Sequence, residues 1–227
     1  RQGITEIKHV TGYLAYWDEL RRRFPALPID TCASGGRRND LETLRRAVPL
    51  WRSDFAYEPA AMQQLTYGIA LWIPYFGAAF NSLDPYIFRS QMTPATAIGL
   101  EPSRYEKGYE RLRHLLAQWR RVAEYYYGDY YPLTPYRTGS TEWMAWQFNR
   151  PEQGDGIVQA FRRTDSSFEC SRFRLRGLDA TARYAIVDLD SPGEARFFGQ
   201  ELMERGLPVS IKSRPGAVII TYKKASR

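Results

Sequence analysis

A chain of 227 residues with 44% hydrophobic and 15% aromatic content has the length and apolar surface for a sizeable core, which excludes an intrinsically disordered protein. The net charge is +7, yet the arginines are scattered and interleaved with acids, so no basic stripe of the nucleic-acid-binding kind is present. Two widely spaced cysteines make no disulfide framework and suit a reducing, cytoplasmic compartment, and no apolar run reaches the ~20 residues of a membrane span.

The chain starts at Arg1, without a methionine and almost directly in a helical pattern, and is therefore expected to be a piece of a longer protein. From Ile7 to Phe24 the apolar positions Ile7, Val10, Tyr13, Leu14, Trp17 and Leu20 recur at helical spacing, until Pro25 and Pro28 end the helix. The stretch Leu27 to Glu58 is the most informative. It reads as a short apolar strand, a glycine turn, a helix and a second strand ending in a carboxylate. Asn39 is the expected N-cap, with Glu42 in capping-box position and Arg46 on the same helix face. Ala47 to Trp51 suits a buried parallel strand, although Pro49 counts against a central one. Cys32, Gly35 and Asp54 then fall just past the carboxyl ends of successive strands, the rim at which α/β barrels build their sites. Pro59 opens a helix running to about Phe76, and Gly77–Leu83 and Ser90–Leu100 each hold a further short apolar stretch. Arg104 to Tyr127 is a long amphipathic helix closed by Gly128.

Beyond the proline- and tyrosine-rich stretch Tyr130–Ser140 the period falls to two. Met144, Trp146 and Phe148 alternate with smaller or polar residues. Stretches 155–163, 168–178, 183–190 and 217–224 read as strands of an antiparallel sandwich. The domain boundary is expected near residue 138, separating an α/β part from an all-β part.

Several residue groups carry chemistry in one reading and architecture in another. Asp54 is a general acid or base at a barrel rim, or a cap or surface acid. Glycoside cleavage needs two carboxyl groups, and Asp30 is the nearby candidate for the second, with a supporting or structural role equally open. Cys32 with Gly35 and Gly36 is either a tight strand-to-helix turn or a place where backbone N–H groups and a thiol meet ligand hydroxyls. A nucleophilic cysteine would need a base, and the two histidines, His9 and His114, both fall on predicted helices. Metal-ligand spacing is absent. The tyrosines at 125–127, 130, 131 and 136 could stack on sugars, but the packing of a helix against a neighbouring domain is favoured.

With these residues laid out, the sequence resembles glycoside hydrolase family 36, the bacterial and plant α-galactosidases. The resemblance rests on CASGGRRNDLETLRRAVPLWRSD and extends through YYYGDYYPLTPY and WMAWQFNRP to the C-terminal strands. It implies a partial TIM barrel, the C-terminal βα units over residues 1–138, followed by a C-terminal β-sandwich over 139–227. By the resemblance Asp54 is the catalytic acid/base, and Cys32 and Gly35 match positions that contact galactose hydroxyls. The family's nucleophilic aspartate would lie upstream, so Asp30 is not that group and this chain alone is expected to be inactive. The resemblance implies α-galactoside oligosaccharides as partners and no cofactor or metal; nucleic acid and membranes are not expected, and a second copy of the chain is left as an option. The competing class is a non-catalytic carbohydrate-binding or interaction module built on the sandwich.

Overall fold

The computed structural model describes residues 3–55, 58–99 and 108–225. Helix α1, Ile4–Arg23, runs as its periodicity requires and stops just before Pro25. None of its residues is buried, and Ile4, Ile7 and Val10 are exposed. Its contacts to the next segment include the Asp18–Arg46 ion pair at 2.6 Å and Arg38 stacked over the Tyr13 ring at 4.8 Å.

Two short extended segments follow, joined by a parallel bridge between Asp30 and Val48. Thr31 N–H donates to the Val48 carbonyl and Val48 N–H to that of Ile29. The expected strand over 47–51 is reduced to this bridge around Pro49, whose carbonyl carries the next link by accepting Gly77 N–H at 2.9 Å. Gly77 opens β1, Gly77–Phe80, which pairs in parallel with β2, Ala95–Ile98. Between these segments lie the single turns α2, Ala33–Gly36, and α3, Leu41–Leu44, then α4, Pro59–Ile69, and α5, Pro85–Ser90. The expected cap at Asn39 is displaced by one residue. Asp40 caps α3 by accepting Thr43 N–H at 2.9 Å, and Asn39 is drawn elsewhere.

The long amphipathic helix is α6, Tyr109–Val122, which tightens into a 3₁₀ turn over Ala123–Tyr127; residues 104–107 of the expected helix lie outside the described residues. Gly128 ends it for a reason other than a left-handed cap. Its φ is −80°, and a Cβ there would meet the Asn149 carbonyl oxygen at 2.4 Å.

The rest is mostly antiparallel sheet. Strands β3 Asp129–Pro132, β4 Trp143–Arg150, β5 Asp155–Arg162, β7 Arg183–Asp188, β8 Ala195–Phe198 and β10 Gly216–Lys224 form one sheet in the order β3-β4-β5-β10-β7-β8. Strands β6 Cys170–Phe173 and β9 Leu207–Ser210 form a second, and α7, Gly199–Glu204, lies between β8 and β9 in the chain. The expected strand over 168–178 is shorter because Leu175 N–H leaves the ladder for the Leu202 carbonyl of α7. β3 precedes residue 138 in the chain and pairs with β4, Tyr130 opposite Phe148.

The period-two pattern of β4 sorts its side chains onto two buried faces. Trp143 and Ala145 join Val158, Ala160, Phe173, Leu202 and Val209 under the second sheet. Met144, Trp146 and Phe148 face Phe88, Leu115, Val122 and Tyr126 on the other side. That second core is also laced by polar groups. Arg89, 3% exposed, donates to Asp190 and to the Ala217 carbonyl. Arg163, 1% exposed, donates to Gln63 Oε1 and to the carbonyls of Arg137 and Gly139.

Burial also sets a pH dependence. The Tyr126, Tyr130 and Tyr222 hydroxyls are pushed well above the ordinary tyrosine range by desolvation. Groups whose folded pKa is raised contribute stability below the unfolded value, about 10, and lose it as pH rises further. Arg52 opposes them: burial pulls its guanidinium down to about 9, so its contribution grows as pH rises above that value. Tyr67, Tyr86 and Tyr125 are shifted upward as well, and only Arg163 joins Arg52 in the other direction, so the tyrosines decide the sign. The melting temperature is expected to hold between pH 6 and 9 and fall above pH ~10. Tyr126→Phe should shrink that alkaline slope while lowering stability at neutral pH, since the Tyr126 hydroxyl donates to Gln159 Oε1 at 3.1 Å. Calorimetry across pH checks both; an unchanged slope in the variant would remove Tyr126 from the account.

Candidate active site

The turn after the Ile29–Thr31 segment is built by geometry that glycine alone tolerates. Gly35 and Gly36 have φ of +79° and +81°, in the left-handed region that disfavours any side chain. Gly36 N–H closes the turn on the Cys32 carbonyl at 2.7 Å. The segment after Leu50 then comes down directly onto this bend. A Cβ on Gly36 would meet the Arg52 carbonyl oxygen at 2.0 Å, and one on Gly35 would meet Asp54 Oδ2 at 2.7 Å. The glycine pair is therefore required by the chain's own approach, independently of any ligand. Asn39 completes the clasp by donating from Nδ2 to that same Arg52 carbonyl at 3.0 Å, which is where its side chain goes instead of capping α3.

Arg52 anchors the descending segment from inside. Its guanidinium is buried, donates to the Met62 carbonyl and to Thr66 Oγ1 on α4, and lies over the Phe76 ring at 5.1 Å. With Arg52 and Ser53 turned inward, Asp54 emerges exposed on the other side. Its Oδ1 accepts the Trp51 indole N–H at 2.8 Å, and the Trp51 ring is packed with Leu65 against Met62 and Ala78. The structure thus brings Asp54 and Gly35 into contact, with the half-buried, free Cys32 thiol at the head of the same turn. An exposed carboxyl group above a bend of bare backbone can donate or accept a proton on a ligand seated there, while N–H groups and the thiol meet its hydroxyls.

The other residue groups resolve as architecture. Asp30 accepts Leu50 N–H at 3.0 Å, clamping the two extended segments together. His9 and His114 are exposed on α1 and α6, and among the described residues no histidine hydrogen-bonds to Cys32. Tyr126 and Tyr130 pack on Phe148 at 5.0 and 5.2 Å, and Tyr125 lies under Arg150 at 4.4 Å. Tyr136 leans on Tyr67 at 5.5 Å, and Tyr127 stays largely exposed, stacked on Tyr75. Sequence reasoning passed over Trp51 and Arg52, and gave Asn39 a capping role in place of its hydrogen bond to the Arg52 carbonyl. The available signal for Trp51 was a donor-only indole three residues ahead of the acid, and for Arg52 a long cation inside an apolar strand.

Comparison with known proteins gives this geometry a setting. Residues 143–221 match the glycosyl hydrolase family 36 C-terminal domain. The chain is 25% identical over 240 residues to probable alpha-galactosidase C of Aspergillus terreus, covering 97% of this chain and 30% of that protein. It is also 25% identical over 229 residues to alpha-galactosidase AgaA of Geobacillus stearothermophilus, covering 94% and 30%. The chain thus spans about 30% of the length of these curated relatives. Among solved structures, the family 36 α-galactosidase AgaB of G. stearothermophilus superposes with a TM-score of 0.74 at 23% identity, over 92% of this chain and 30% of that one. An AgaA variant in complex with raffinose superposes at 0.76 with 23% identity and the same coverages. At these identities the superpositions show a shared fold.

Proposed function

We propose, on the premise that the chain belongs to glycosyl hydrolase family 36, that it is the acid/base-bearing part of a retaining α-galactosidase. Residues 1–138 supply the last βα units of a (β/α)8 barrel in this reading, and 139–227 the C-terminal sandwich, whose sheet also takes in β3 from before that boundary. The barrel assignment is supported by four short extended segments met in chain order, two joined by a parallel bridge and two by a parallel ladder, with helices between. The substrate class is supported by the relatives' names and by the raffinose carried by one solved relative.

One observation carries the mechanism: an exposed carboxyl group whose Oδ2 lies against a bend of two glycines. Protonated Asp54 gives its proton to the glycosidic oxygen as the bond to the anomeric carbon breaks. A second carboxylate, from outside this chain, forms the glycosyl ester. Asp54, now ionised, takes a proton from the water that releases galactose with retained configuration. Cys32 and the backbone at Gly35 contact the sugar hydroxyls. No cofactor enters this scheme. Both cysteines are free, which supports a reducing, cytoplasmic setting.

The 227-residue chain alone holds one of the two carboxyl groups that the reaction needs. It is expected to release no measurable nitrophenol from p-nitrophenyl α-galactoside, whereas the full protein turns the substrate over. Hydrolysis by the isolated chain, abolished in its Asp54→Asn variant, would show that the second carboxylate lies within it and overturn this division of labour.

A further inference from the structure

An acid catalyst with two equivalent oxygens could carry its proton on either of them, and only one faces a bound leaving group. The surroundings of Asp54 break that equivalence. Oδ1 accepts the Trp51 indole N–H at 2.8 Å, and Oδ2 is the oxygen turned to Gly35, 2.7 Å from where a Cβ would stand. An indole N–H donates and never accepts. The oxygen it touches is best satisfied as a carbonyl or carboxylate acceptor, so in the protonated acid the hydrogen belongs on the other oxygen. Rotation of the carboxyl group by half a turn would exchange the two oxygens and leave a hydroxyl oxygen, the poorer acceptor, facing the indole.

The donor is itself held in place. Met62 and Ala78 back the Trp51 ring from α4 and β1 together with Leu65, and Arg52, next in the chain, is buried under α4. The indole therefore cannot follow Asp54 if the carboxyl group turns away.

We propose that Trp51 is a positioning residue that reserves Oδ1 of Asp54, so that the transferable proton rides on Oδ2 above the Gly35–Gly36 bend. In the first half-reaction the Oδ2–H bond breaks and its proton joins the departing oxygen, while the indole N–H stays on Oδ1 and stabilises the carboxylate that is left. In the second, Oδ2 takes the proton from the attacking water and the starting state returns. Gly35 has a matching role: its missing side chain is the space in which Oδ2 sits. The catalytic half of this inference rests on the α-galactosidase reading above, whereas the hydrogen bond does not.

Two measurements separate them. The chain has six tryptophans, so ¹H–¹⁵N spectra of the 227-residue protein hold six indole N–H signals at most, and Trp51→Phe identifies the one concerned. That signal is expected to move as pH is lowered and to stop moving in Asp54→Asn, whose amide oxygen still accepts but carries no ionisable proton. In the full protein, Trp51→Phe is expected to lower kcat by roughly tenfold or more on substrates with poor leaving groups. It should leave kcat/KM for α-galactosyl fluoride, which reports the first half-reaction and whose leaving group needs no proton, nearly unaffected. If Trp51→Phe does not fold, 3-benzothienylalanine at position 51 keeps the ring shape without the N–H. An indole signal indifferent to the Asp54 titration would overturn the hydrogen bond. A titrating signal with equal losses on all substrates would overturn the positioning role, and a titrating signal with Asp54→Asn fully active would overturn the acid/base reading itself.

Discussion

Asp54→Asn, made in the full protein, is expected to cut kcat/KM for raffinose-type substrates by about 10²–10⁴-fold, the usual worth of a positioned general acid. The substitution keeps the size of the side chain and its acceptor for the Trp51 indole, so the fold around Gly35 should survive. Under the proposed acid/base role, what is lost is the proton. Sugars and alcohols leave poorly as anions, and their departure slows most. With 2,4-dinitrophenyl α-galactoside or the fluoride the first half-reaction proceeds without help, and the glycosyl ester accumulates because water lacks its base. Azide needs no base, so its addition should restore turnover of the activated substrates and yield the α-galactosyl azide, the stereochemistry of a double displacement. Kinetics on a leaving-group series, with and without azide, make the test. A uniform loss across the series with no azide effect would assign Asp54 to binding rather than proton transfer.

Arg163→Ala carries the largest expected loss of stability. Its guanidinium reaches from the end of β5 to Gln63 on α4, a hundred residues earlier in the chain, and to the carbonyls of Arg137 and Gly139. Burial lowers its pKa, so the charge is held at a cost that these three acceptors offset. Alanine leaves the buried Gln63 Oε1 without this donor, at about 1–3 kcal/mol, frees the carbonyls of the exposed residues Arg137 and Gly139, and removes an aliphatic stem beside Met144. Relaxation and entering water recover part of this, so a net loss of about 3–5 kcal/mol is expected, a melting-temperature drop of ~10 °C for a chain of this size. Arg163→Lys, with one compact donor, should recover only a fraction. Amide exchange should quicken in α4 and β5 together, because the side chain ties them. A drop below about 1 kcal/mol would mean that the seam is held by the Met144, Trp146 and Phe148 packing alone.

How much of this was legible beforehand differs from element to element. β4, β5, β7 and β10 were readable because their large apolar residues alternate, and the alternation survives burial on both faces. β3, β8, β9 and α7 were not: each is four to six residues long, and a ladder or packing partner elsewhere decides its state. Tyr130 pairs with Phe148, Phe198 with Arg183, and Leu207 with Phe173, in registers that no local pattern encodes. At the site, the glycine pair, Cys32 and Asp54 stood out by residue type and spacing. The indole on Asp54 and the Asn39 clasp on the Arg52 carbonyl did not, since both depend on how two segments meet.

By itself the sequence determined the longer helices α1, α4 and α6 and the strands β4, β5, β7 and β10, the turn that only glycines can make, and the carboxyl group that ends the segment after it. These follow from local sterics and periodicity, which need no distant partner. Tertiary structure alone decided that the segment from Trp51 to Asp54 lands on the bend, with Arg52 drawn under α4 and the acid left outside. It also decided that Arg89 and Arg163 join the helical part to the sheet. Such choices turn on burying a charge where acceptors already wait, and those acceptors lie 100 and 128 residues away in the chain.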